Sequence, residues 1–441
     1  MQLIHEIRQD IIDRGSNVRV EILAGITSFL SLAYIFVVNP SILGQAGMDP
    51  KAVLFATVVA SGAATIGMGL WARLPFVLAP GLEMNAYVAF VVVGTMGFTW
   101  QQGLGAVLWS GILFVILTHF EVREAIIHSI PDKMKFALAL SVGAFVFTIG
   151  MSLSGVLIYD NQVFAGFGSL ISPEALVLFI GIAVIIVLER LKIPFVSRGA
   201  VLITIVGSAT YLLSVKSGAT VSPGPADGSM FGAVFALDMI PTKLSFVSAV
   251  LILFLVDFYG SIAKFIGMTM NTEIRTLDEQ GRSVVPRTHE ALMVDGLGTC
   301  FGSVLGTTSV TTYVESAVGI AAGGRTGLTA IVCGFLMFAV LPFASYIRYI
   351  PVEATAGALI YVGYRLIPRR AIWASYDKWD WAVAVGMPLL VIGTFSLDYA
   401  LILGFVVYGG IKYRETKRIP WFMFVSALAL VVGRVLQYWG N

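Results

Sequence analysis

Apolar segments long enough to cross a lipid bilayer recur along this chain from Val20 to Tyr438, separated by short polar stretches. An α-helix rises about 1.5 Å per residue, so about 20 apolar residues cross a hydrocarbon core of roughly 30 Å. Hydrophobic residues make up 57% of the 441 residues, whereas charged residues make up only 12%. Because that balance is far more apolar than the usual soluble composition, we predict an all-α polytopic membrane protein.

Residues that hold cofactors or carry out redox chemistry are scarce. The two cysteines, Cys300 and Cys333, lie inside apolar segments, and the four histidines lie outside the segment centres. The sequence has no metal-ligand spacing, nucleotide loop or catalytic cluster. A net charge of +2 also provides no basic footprint for nucleic acid. We therefore predict a protein that is not an enzyme and that needs neither a cofactor nor a metal.

The apolar segments form two sets on either side of a polar loop. We predict a cytoplasmic N-terminus at 1–19, a first set at 20–215, the loop at 216–244 and a second set at 245–441. The predicted spans are 20–38, 52–71, 76–97, 103–120, 134–157, 172–189, 196–214, 245–269, 290–305, 308–321, 326–345, 353–366, 381–397, 399–412 and 421–438. About fourteen of these cross the membrane, and short segments in the second set leave thirteen or fifteen as alternatives.

Basic residues fall in every second loop, which predicts the orientation of the spans. These residues are Arg123, Lys133, Lys135, Arg190, Lys192, Arg198, Arg275, Arg282, Arg287, Arg365, Arg369, Arg370 and Lys378. Loops rich in Lys and Arg stay on the cytoplasmic side. The pattern therefore predicts a multi-pass protein of the cell inner (plasma) membrane with its N-terminus in the cytoplasm.

Polar residues interrupt two spans at corresponding places in the two sets. Residues 79–85 (APGLEMN) interrupt the third span, and residues 307–316 (TTSVTTYVES) interrupt the tenth. Such paired interruptions indicate half-helices that meet at a midplane site, because broken backbone survives at membrane depth only around a cavity or a ligand. The structural alternative is a kink at Pro80 and a helix interface rich in Thr and Ser.

Four ionisable residues lie inside predicted spans, namely Glu83, Asp257, Lys264 and Glu315. An unpaired charge at the bilayer centre costs about 3 kcal/mol on insertion scales, so each is a candidate for function. The structural alternatives are an ion pair between Lys264 and Asp257 or Glu83, and a helix-capping role for Glu315. Asp295, near the start of a span, is predicted to be a cap or charge partner.

Four stretches of the chain resemble the AzgA-like purine (guanine, hypoxanthine and adenine) permeases of the nucleobase:cation symporter-2 family. They are 24–40 (AGITSFLSLAYIFVVNP), 79–87 (APGLEMNAY), 307–316 (TTSVTTYVES) and 321–330 (AAGGRTGLTA). The resemblance implies two inverted seven-helix repeats, with a core domain of spans 1–4 and 8–11 and a gate domain of the remaining spans. It also implies proton symport, with Glu315 and Asp257 holding the base and Asn85 beside them.

The chain departs from the family pattern within these stretches. Glu83 stands where the family has Gly, and Gly260 stands where an acid is expected in span 8. Lys264 is unusual as well. One carboxylate is thus gained in span 3 and one is lost in span 8, which indicates either a relocated proton-carrying group or a different substrate. Nucleobase-like solutes remain the predicted class.

A purine has N–H donors, acceptors and a planar ring, so carboxylates, an amide and an aromatic face such as that of Phe258, Tyr259 or Tyr313 suit it. The predicted substrate-binding residues are Glu83, Asn85, Asp257, Tyr313 and Glu315. Asp257, Glu315 and Glu83 are also the predicted carriers of the coupling proton, with Na⁺ as an alternative ion. The sequence leaves the oligomeric state open, a homodimer included.

An anion or dicarboxylate transporter of the same architecture is the alternative function. Three acids against one lysine in the predicted site disfavour an anionic substrate. An ion pair made by Lys264 would weaken that argument, because it would neutralise one of the acids. The sequence favours a nucleobase and leaves both substrate classes open to test.

Overall fold

A computed structural model describes residues 2–120, 132–160, 163–193, 195–215, 228–240, 243–269, 283–365, 375–417 and 421–440, together with 274, 276–277, 367 and 373. Residues 216–227 and 241–242 of the predicted loop at 216–244 lie outside the described residues. The same holds for the basic residues Arg123, Arg275, Arg282, Arg369 and Arg370.

Helices dominate the described residues. The first set comprises α1 (Gln2–Asp13), α2 (Val18–Leu32), α3 (Ile35–Gly44), α4 (Pro50–Gly67), α5 (Leu82–Ala86), α6 (Trp100–His119), α7 (Asp132–Leu153), α8 (Pro173–Arg190) and α9 (Ala200–Val215). The second set comprises α10 (Leu244–Thr269), α11 (Thr288–Leu305), α12 (Ser316–Ala321), α13 (Gly327–Phe338), α14 (Ala356–Arg365), α15 (Lys378–Thr394), α16 (Leu397–Thr416) and α17 (Trp421–Gly440). Single π-helical turns extend α4 and α5, as Met68–Ala72 and Tyr87–Val93.

Four helical stretches of the described residues are long and apolar enough to cross a membrane. They are Val18–Gly44, Pro50–Ala72, Trp100–His119 and Lys133–Leu153. A fifth is obtained if Gly327–Phe338 and Leu341–Ile347, which bend by 54° at their break, count as one span. The predicted number of about fourteen crossings exceeds these and includes shorter apolar helices such as Ala200–Val215.

Polar caps mark where several of these helices begin. Asp49 accepts a hydrogen bond from the backbone N–H of Lys51 and precedes Pro50, whose fixed φ suits the first helical position. Thr99 and Gln102 satisfy each other's backbone N–H groups in a capping box at the start of α6. These caps place polar residues at the ends of the apolar stretches.

The prediction of an all-α protein was wrong in detail, because the described residues include six short strands in three antiparallel pairs. The strands are β1 (Leu78–Pro80), β2 (Leu157–Asp160), β3 (Val163–Phe167), β4 (Thr276–Leu277), β5 (Ser283–Val284) and β6 (Val310–Thr312). β1 pairs with β6, β2 with β3, and β4 with β5. The β1–β6 pair joins the two interrupted spans, and hydropathy alone does not reveal it because its residues read as part of apolar segments.

The helices pack in two groups. In one, α13 lies against α2 and α4, and α11 and α10 lie against α6. In the other, α7 packs against α14 and α15, α8 against α9, and α16 against α15 and α17. Helix α10 contacts both groups, since it also packs on α17 and α7. Both interrupted spans lie with the first group, next to α10.

A buried carboxylate ties the first helix of that group to the start of α13. Glu21, which is fully buried, accepts hydrogen bonds from the backbone N–H of Arg325 (3.0 Å) and from the hydroxyls of Thr329 (2.5 Å) and Ser16 (2.7 Å). Charge-assisted bonds of this kind are stronger than neutral ones. Glu21, which the sequence analysis did not identify, therefore has a structural role at this end of the group.

Helix α13 approaches the π-turn of α4 at two glycines. A Cβ placed on Gly327 would lie 2.0 Å from the carbonyl oxygen of Gly69, and one on Gly69 would lie 2.5 Å from that of Gly327. Real Cβ atoms do not come so close to backbone, so any side chain at either position would push the two elements apart.

Gly327→Ala should lower the melting temperature of the detergent-purified protein, because the added methyl group overpacks this contact at a cost of about 1 to 3 kcal/mol. Gly207→Ala is the matched control, since within the described residues nothing lies within 4 Å of a Cβ at that helical position. Equal melting temperatures for the two variants would show that the contact at Gly327 is not close-packed.

Candidate functional site

The two interrupted spans cross at the β1–β6 pair. Ala79 of β1 is paired with Thr311 of β6. On one side of this pair the N–H of Tyr313 donates to the carbonyl oxygen of Val77 (2.9 Å). On the other side the N–H of Gly81 donates to the carbonyl oxygen of Ser309 (2.9 Å). Helices α5 and α12 begin just after the strands. The pairing satisfies backbone groups that hydrocarbon could not. It also brings two helix N-termini, with their partial positive charge, to one place.

Asp295 anchors β6 to α11. Its carboxylate accepts hydrogen bonds from the N–H (2.6 Å) and hydroxyl (3.0 Å) of Thr312 and from the hydroxyl of Thr311 (3.1 Å). Close packing adds to this, because a Cβ on Gly298 would lie 2.9 Å from the carbonyl oxygen of Val310. Asp295 lies inside α11 and not at its start, so the predicted capping role is wrong, and its contacts join β6 to the helix.

Glu83 of α5 forms a buried ion pair with Lys264 of α10. The Lys264 ammonium donates to Glu83 Oε1 at 2.6 Å, and both side chains are less than a tenth exposed. Of the two ion pairs that the sequence left open, the structure has the one with Glu83. Lys264 also lies over the ring of Tyr313, 6.0 Å from its centroid. The ion pair compensates the negative charge of one acid, Glu83, and places an ammonium group next to Tyr313.

Asp257 is held by hydroxyl groups on one side only. Its Oδ2 accepts from Ser309 (2.7 Å) and, at longer range, from Thr299 (3.4 Å). Its Oδ1 is buried and has no hydrogen-bond partner within the part of the chain that the structure describes. A buried acceptor without a protein partner is rare, so Asp257 Oδ1 is a candidate acceptor for a hydrogen-bond donor of a solute.

Glu315 shows the same asymmetry. Its Oε1 accepts from the hydroxyl of Tyr34 at 2.8 Å, whereas Oε2 is buried and has no partner among the described residues. The residue stands at the N-cap of α12 without making a side-chain cap bond, so the capping alternative is wrong. Tyr34, at the break between α2 and α3, is a site residue that the sequence analysis missed. Its only sequence signal was its place in the 24–40 stretch.

Asn85 and Tyr313 complete the cluster. Asn85 Oδ1 accepts from the hydroxyl of Thr308, while its Nδ2 lacks a partner in the described ranges. Tyr313 donates its hydroxyl to the carbonyl of Pro80 (3.1 Å), which holds the ring across the strand crossing. The structure therefore brings all five predicted binding residues to the crossing and leaves two acceptors and one donor uncommitted.

A small cavity of about 10 Å³, room for about one water molecule, lies where α10 faces the second group of helices. It is lined by Leu138, Ser141, Val142, Val256, Tyr259, Gly260, Leu397 and Leu401. Gly260 lies between the cavity and Glu83, because a Cβ at this position would be in van der Waals contact with Glu83 Oε1 at 3.4 Å. Of the predicted stacking rings, Tyr259 lines this cavity, with its hydroxyl 3.0 Å from Ser426, and Phe258 packs among other rings. Another cavity of the same volume, at Glu6 and Arg73, lies apart from the site acids.

The chemistry of the cluster suits a neutral polar solute with both donors and acceptors. Carboxylate oxygens accept from ring N–H groups, and an amide N–H₂ donates to ring nitrogens or carbonyls. In the described ranges no three His, Cys, Asp or Glu side chains are grouped to hold a metal ion. The site can therefore recognise a solute by hydrogen bonds and by the Tyr313 ring.

Sequence comparison places these features in a wider set of proteins. The profile of the permease family Xan_ur_permease matches residues 19–372. The chain is 38% identical over 423 residues to putative permease MJ0326 of Methanocaldococcus jannaschii, covering 94% of each protein. It is 36% identical to adenine permease AdeP of Escherichia coli K12 (90% and 87% covered) and 31% identical to guanine/hypoxanthine permease GhxP of Escherichia coli O157:H7 (96% and 94%).

Solved structures with the same fold are much more distant in sequence. The transmembrane domain of the cyanobacterial bicarbonate transporter BicA superposes with a TM-score of 0.62 at 13% identity, covering 88% of this chain and 97% of that one. The murine Slc26a9 anion transporter in its inward-facing state gives 0.64 at 10% identity, covering 91% and 69%. The chain is thus a helical multi-pass membrane protein with the 7+7 inverted-repeat fold.

Lys264→Met should destabilise the protein by roughly 3 to 5 kcal/mol, because it leaves the buried Glu83 carboxylate without its partner. The double variant Glu83→Gln/Lys264→Met should recover most of that loss, since it removes both charges and keeps the volume. Melting temperatures in detergent measure both effects. If the single variant is as stable as the wild type, the ion pair contributes nothing to the fold.

Proposed function

This chain belongs to the permease family whose profile matches residues 19–372, and on that premise we propose that it carries a purine nucleobase across the membrane together with protons. The observation that carries the proposal is the set of uncommitted buried atoms at the strand crossing. Asp257 Oδ1, Glu315 Oε2 and Asn85 Nδ2 lack partners among the described residues. A purine supplies the N–H donors and the acceptor that would satisfy them.

The names of the relatives support the same substrate class. Adenine permease and guanine/hypoxanthine permease describe the proteins that share 36% and 31% identity with this chain. Adenine, guanine and hypoxanthine are all purines, so the relatives support a purine substrate without favouring one particular base. Glu83, Asn85, Asp257, Tyr313 and Glu315 are the residues that we propose to bind it.

Alternating access would follow from the two packing groups of helices. We assign the group that carries both interrupted spans as a moving core and the other group as a gate, with the repeats at 20–215 and 245–441. A charged carboxylate in the site resists passage through a closed, low-dielectric state. Protonation of Glu315 or Asp257 removes that charge, so the proton and the base would cross together. Protonation of Glu83, the third candidate, would require Lys264 to lose its charge as well, because the two form an ion pair.

The orientation follows from the basic loops. With the positive loops inside, the N-terminus lies in the cytoplasm of a cell whose inner (plasma) membrane holds the protein. Coupling to protons that enter the cell would make the transport an import. An anion transporter of the same architecture is the alternative, because Lys264 brings an ammonium group to the site. The Glu83 carboxylate already pairs with that ammonium at 2.6 Å, which disfavours an added anion.

Purified protein should be stabilised against heat by purines and by neither pyrimidines nor inorganic or organic anions. A ligand at 100 times its Kd adds about 2.7 kcal/mol of stability, which a thermal shift resolves. In Glu315→Gln the shift should fall, because loss of a hydrogen bond to a charged acceptor weakens binding roughly 10- to 100-fold. The amide oxygen can still accept from Tyr34, so the fold is retained.

Glu290→Gln, at the start of α11, is the matched control and should keep the full purine shift. If only anions raised the melting temperature, the chain would share both the fold and the function of anion transporters, and the proposed purine transport would be wrong. A purine shift that survives in Glu315→Gln would remove Glu315 from the site.

Uptake of a radiolabelled purine by cells that express the protein should fall when a protonophore is added and should rise as the external pH is lowered. Replacement of external Na⁺ by K⁺ should leave uptake unchanged. The reverse pattern, sensitivity to Na⁺ and indifference to the protonophore, would assign Na⁺ as the coupling ion.

A further inference from the structure

Phe395, in the turn between α15 and α16, has a left-handed backbone conformation that bulky residues rarely adopt. Its φ and ψ are 48° and 33° at the C-cap of α15. Gly or Asn is usual in such a conformation, because a Cβ comes too close to the following carbonyl oxygen. Phe235 also has a positive φ, but its ring is exposed, whereas Phe395 is only 5% exposed. A strained conformation of this kind persists only where surrounding contacts hold it.

Three aromatic rings surround the ring of Phe395. The centroids of Tyr159, Phe90 and Phe145 lie 4.8, 5.6 and 5.7 Å away. Phe145 of α7 belongs to the second group of helices, and Tyr159 is tied to it by a hydrogen bond from its hydroxyl to the carbonyl of Ile392 (2.8 Å). Phe90 lies in the π-helical turn that extends α5, so it belongs to the first group. The pair of Phe90 and Phe395 therefore crosses the boundary between the two groups.

The polar groups of the turn are bonded within the second group. Arg434 of α17 donates to the Asp398 carboxylate and to the Ser396 hydroxyl (2.6 Å), and its guanidinium lies over the ring of Tyr399. Across the boundary, the hydroxyl of Tyr87 is buried and has no hydrogen-bond partner in the part of the chain that the structure describes. The first group can therefore leave the turn without breaking a hydrogen bond of Tyr87 and without leaving Asp398 unpaired.

The turn lies next to the candidate site. Leu397, the first residue of α16, lines the cavity of about 10 Å³, and Gly260 separates that cavity from Glu83. Phe90 follows Asn85 in the same interrupted span. A space for about one water molecule does not admit a base, since ligand pockets have volumes of hundreds of Å³. A base would pass this turn only if the two groups of helices moved apart.

We propose that Phe395 makes the closing contact between core and gate: its ring packs on Phe90 while access to the strand crossing from this end is closed, and the two rings separate when access opens. The inference rests on the alternating access of the proposed function and adds the contact that must break. The ring contacts favour closure, whereas release of the left-handed conformation favours opening. Positive-inside orientation puts Lys378, where α15 begins, in the cytoplasm, so Phe395 at the other end of α15 faces the outside.

Cross-linking of Phe90→Cys/Phe395→Cys tests the proposal, in a background with Cys300→Ser and Cys333→Ala. A short bifunctional methanethiosulfonate should abolish uptake of radiolabelled adenine by this variant, and reduction should restore it, because the core can no longer leave the gate. Phe145→Cys/Phe395→Cys in the same background is the matched control, since its rings are 5.7 Å apart against 5.6 Å but lie in one group of helices. Its uptake should be the same before and after cross-linking.

Spin labels on the same two cysteine pairs give a readout that needs no transport. In continuous-wave EPR of the purified protein, the labels at 90 and 395 should give a mixture of dipolar-broadened and unbroadened spectra, and adenine should change the proportion. The labels at 145 and 395 should stay broadened throughout.

Uptake that survives cross-linking of the Phe90/Phe395 pair would overturn the inference. A spectrum of the labels at 90 and 395 that stays broadened with and without adenine would overturn it as well, because the two rings would then not separate. A wild type that takes up no purine would overturn the proposed function, whereas a mixture of spectra from the same labels would still support the closing contact.

Discussion

Backbone hydrogen bonding inside hydrocarbon is the constraint on which the rest of this structure depends. Two spans stop being helical at membrane depth, and each interruption would leave N–H and C=O groups unpaired at a cost of several kcal/mol. The β1–β6 pair satisfies them, with Ala79 opposite Thr311. The same pairing fixes where α5 and α12 begin. Every candidate binding residue is positioned relative to this crossing.

The buried acids near the crossing divide into two kinds. Glu21 and Asp295 each accept several hydrogen bonds from backbone and hydroxyl groups, so they stabilise the fold. Asp257 and Glu315 are held through one oxygen, and the other oxygen has no described partner. An acid that must bind and release a solute needs such a free oxygen, whereas an anchoring acid is best fully bonded.

Much of the candidate site was predictable from the sequence, because polar residues are easy to recognise inside apolar segments. Glu83, Asp257, Lys264 and Glu315 are noticeable for their charge in apolar segments, and all four lie at or beside the strand crossing. Tyr34 was not predictable, because a tyrosine in an apolar span looks like any other aromatic residue until its hydroxyl meets Glu315 at 2.8 Å. The ion-pair partner of Lys264 was not predictable either, because the sequence allowed a pair with Asp257 or with Glu83.

The sequence by itself determined that this is a polytopic helical membrane protein, where two of its spans break, and which ionisable residues lie in them. Those properties are local, since hydropathy, Pro80 and the Thr-rich run act over a single turn or span. Only the tertiary structure decided that the breaks pair as strands and that Lys264 bonds to Glu83. Those properties join residues more than 150 positions apart, and chain topology rather than local preference sets which of them meet.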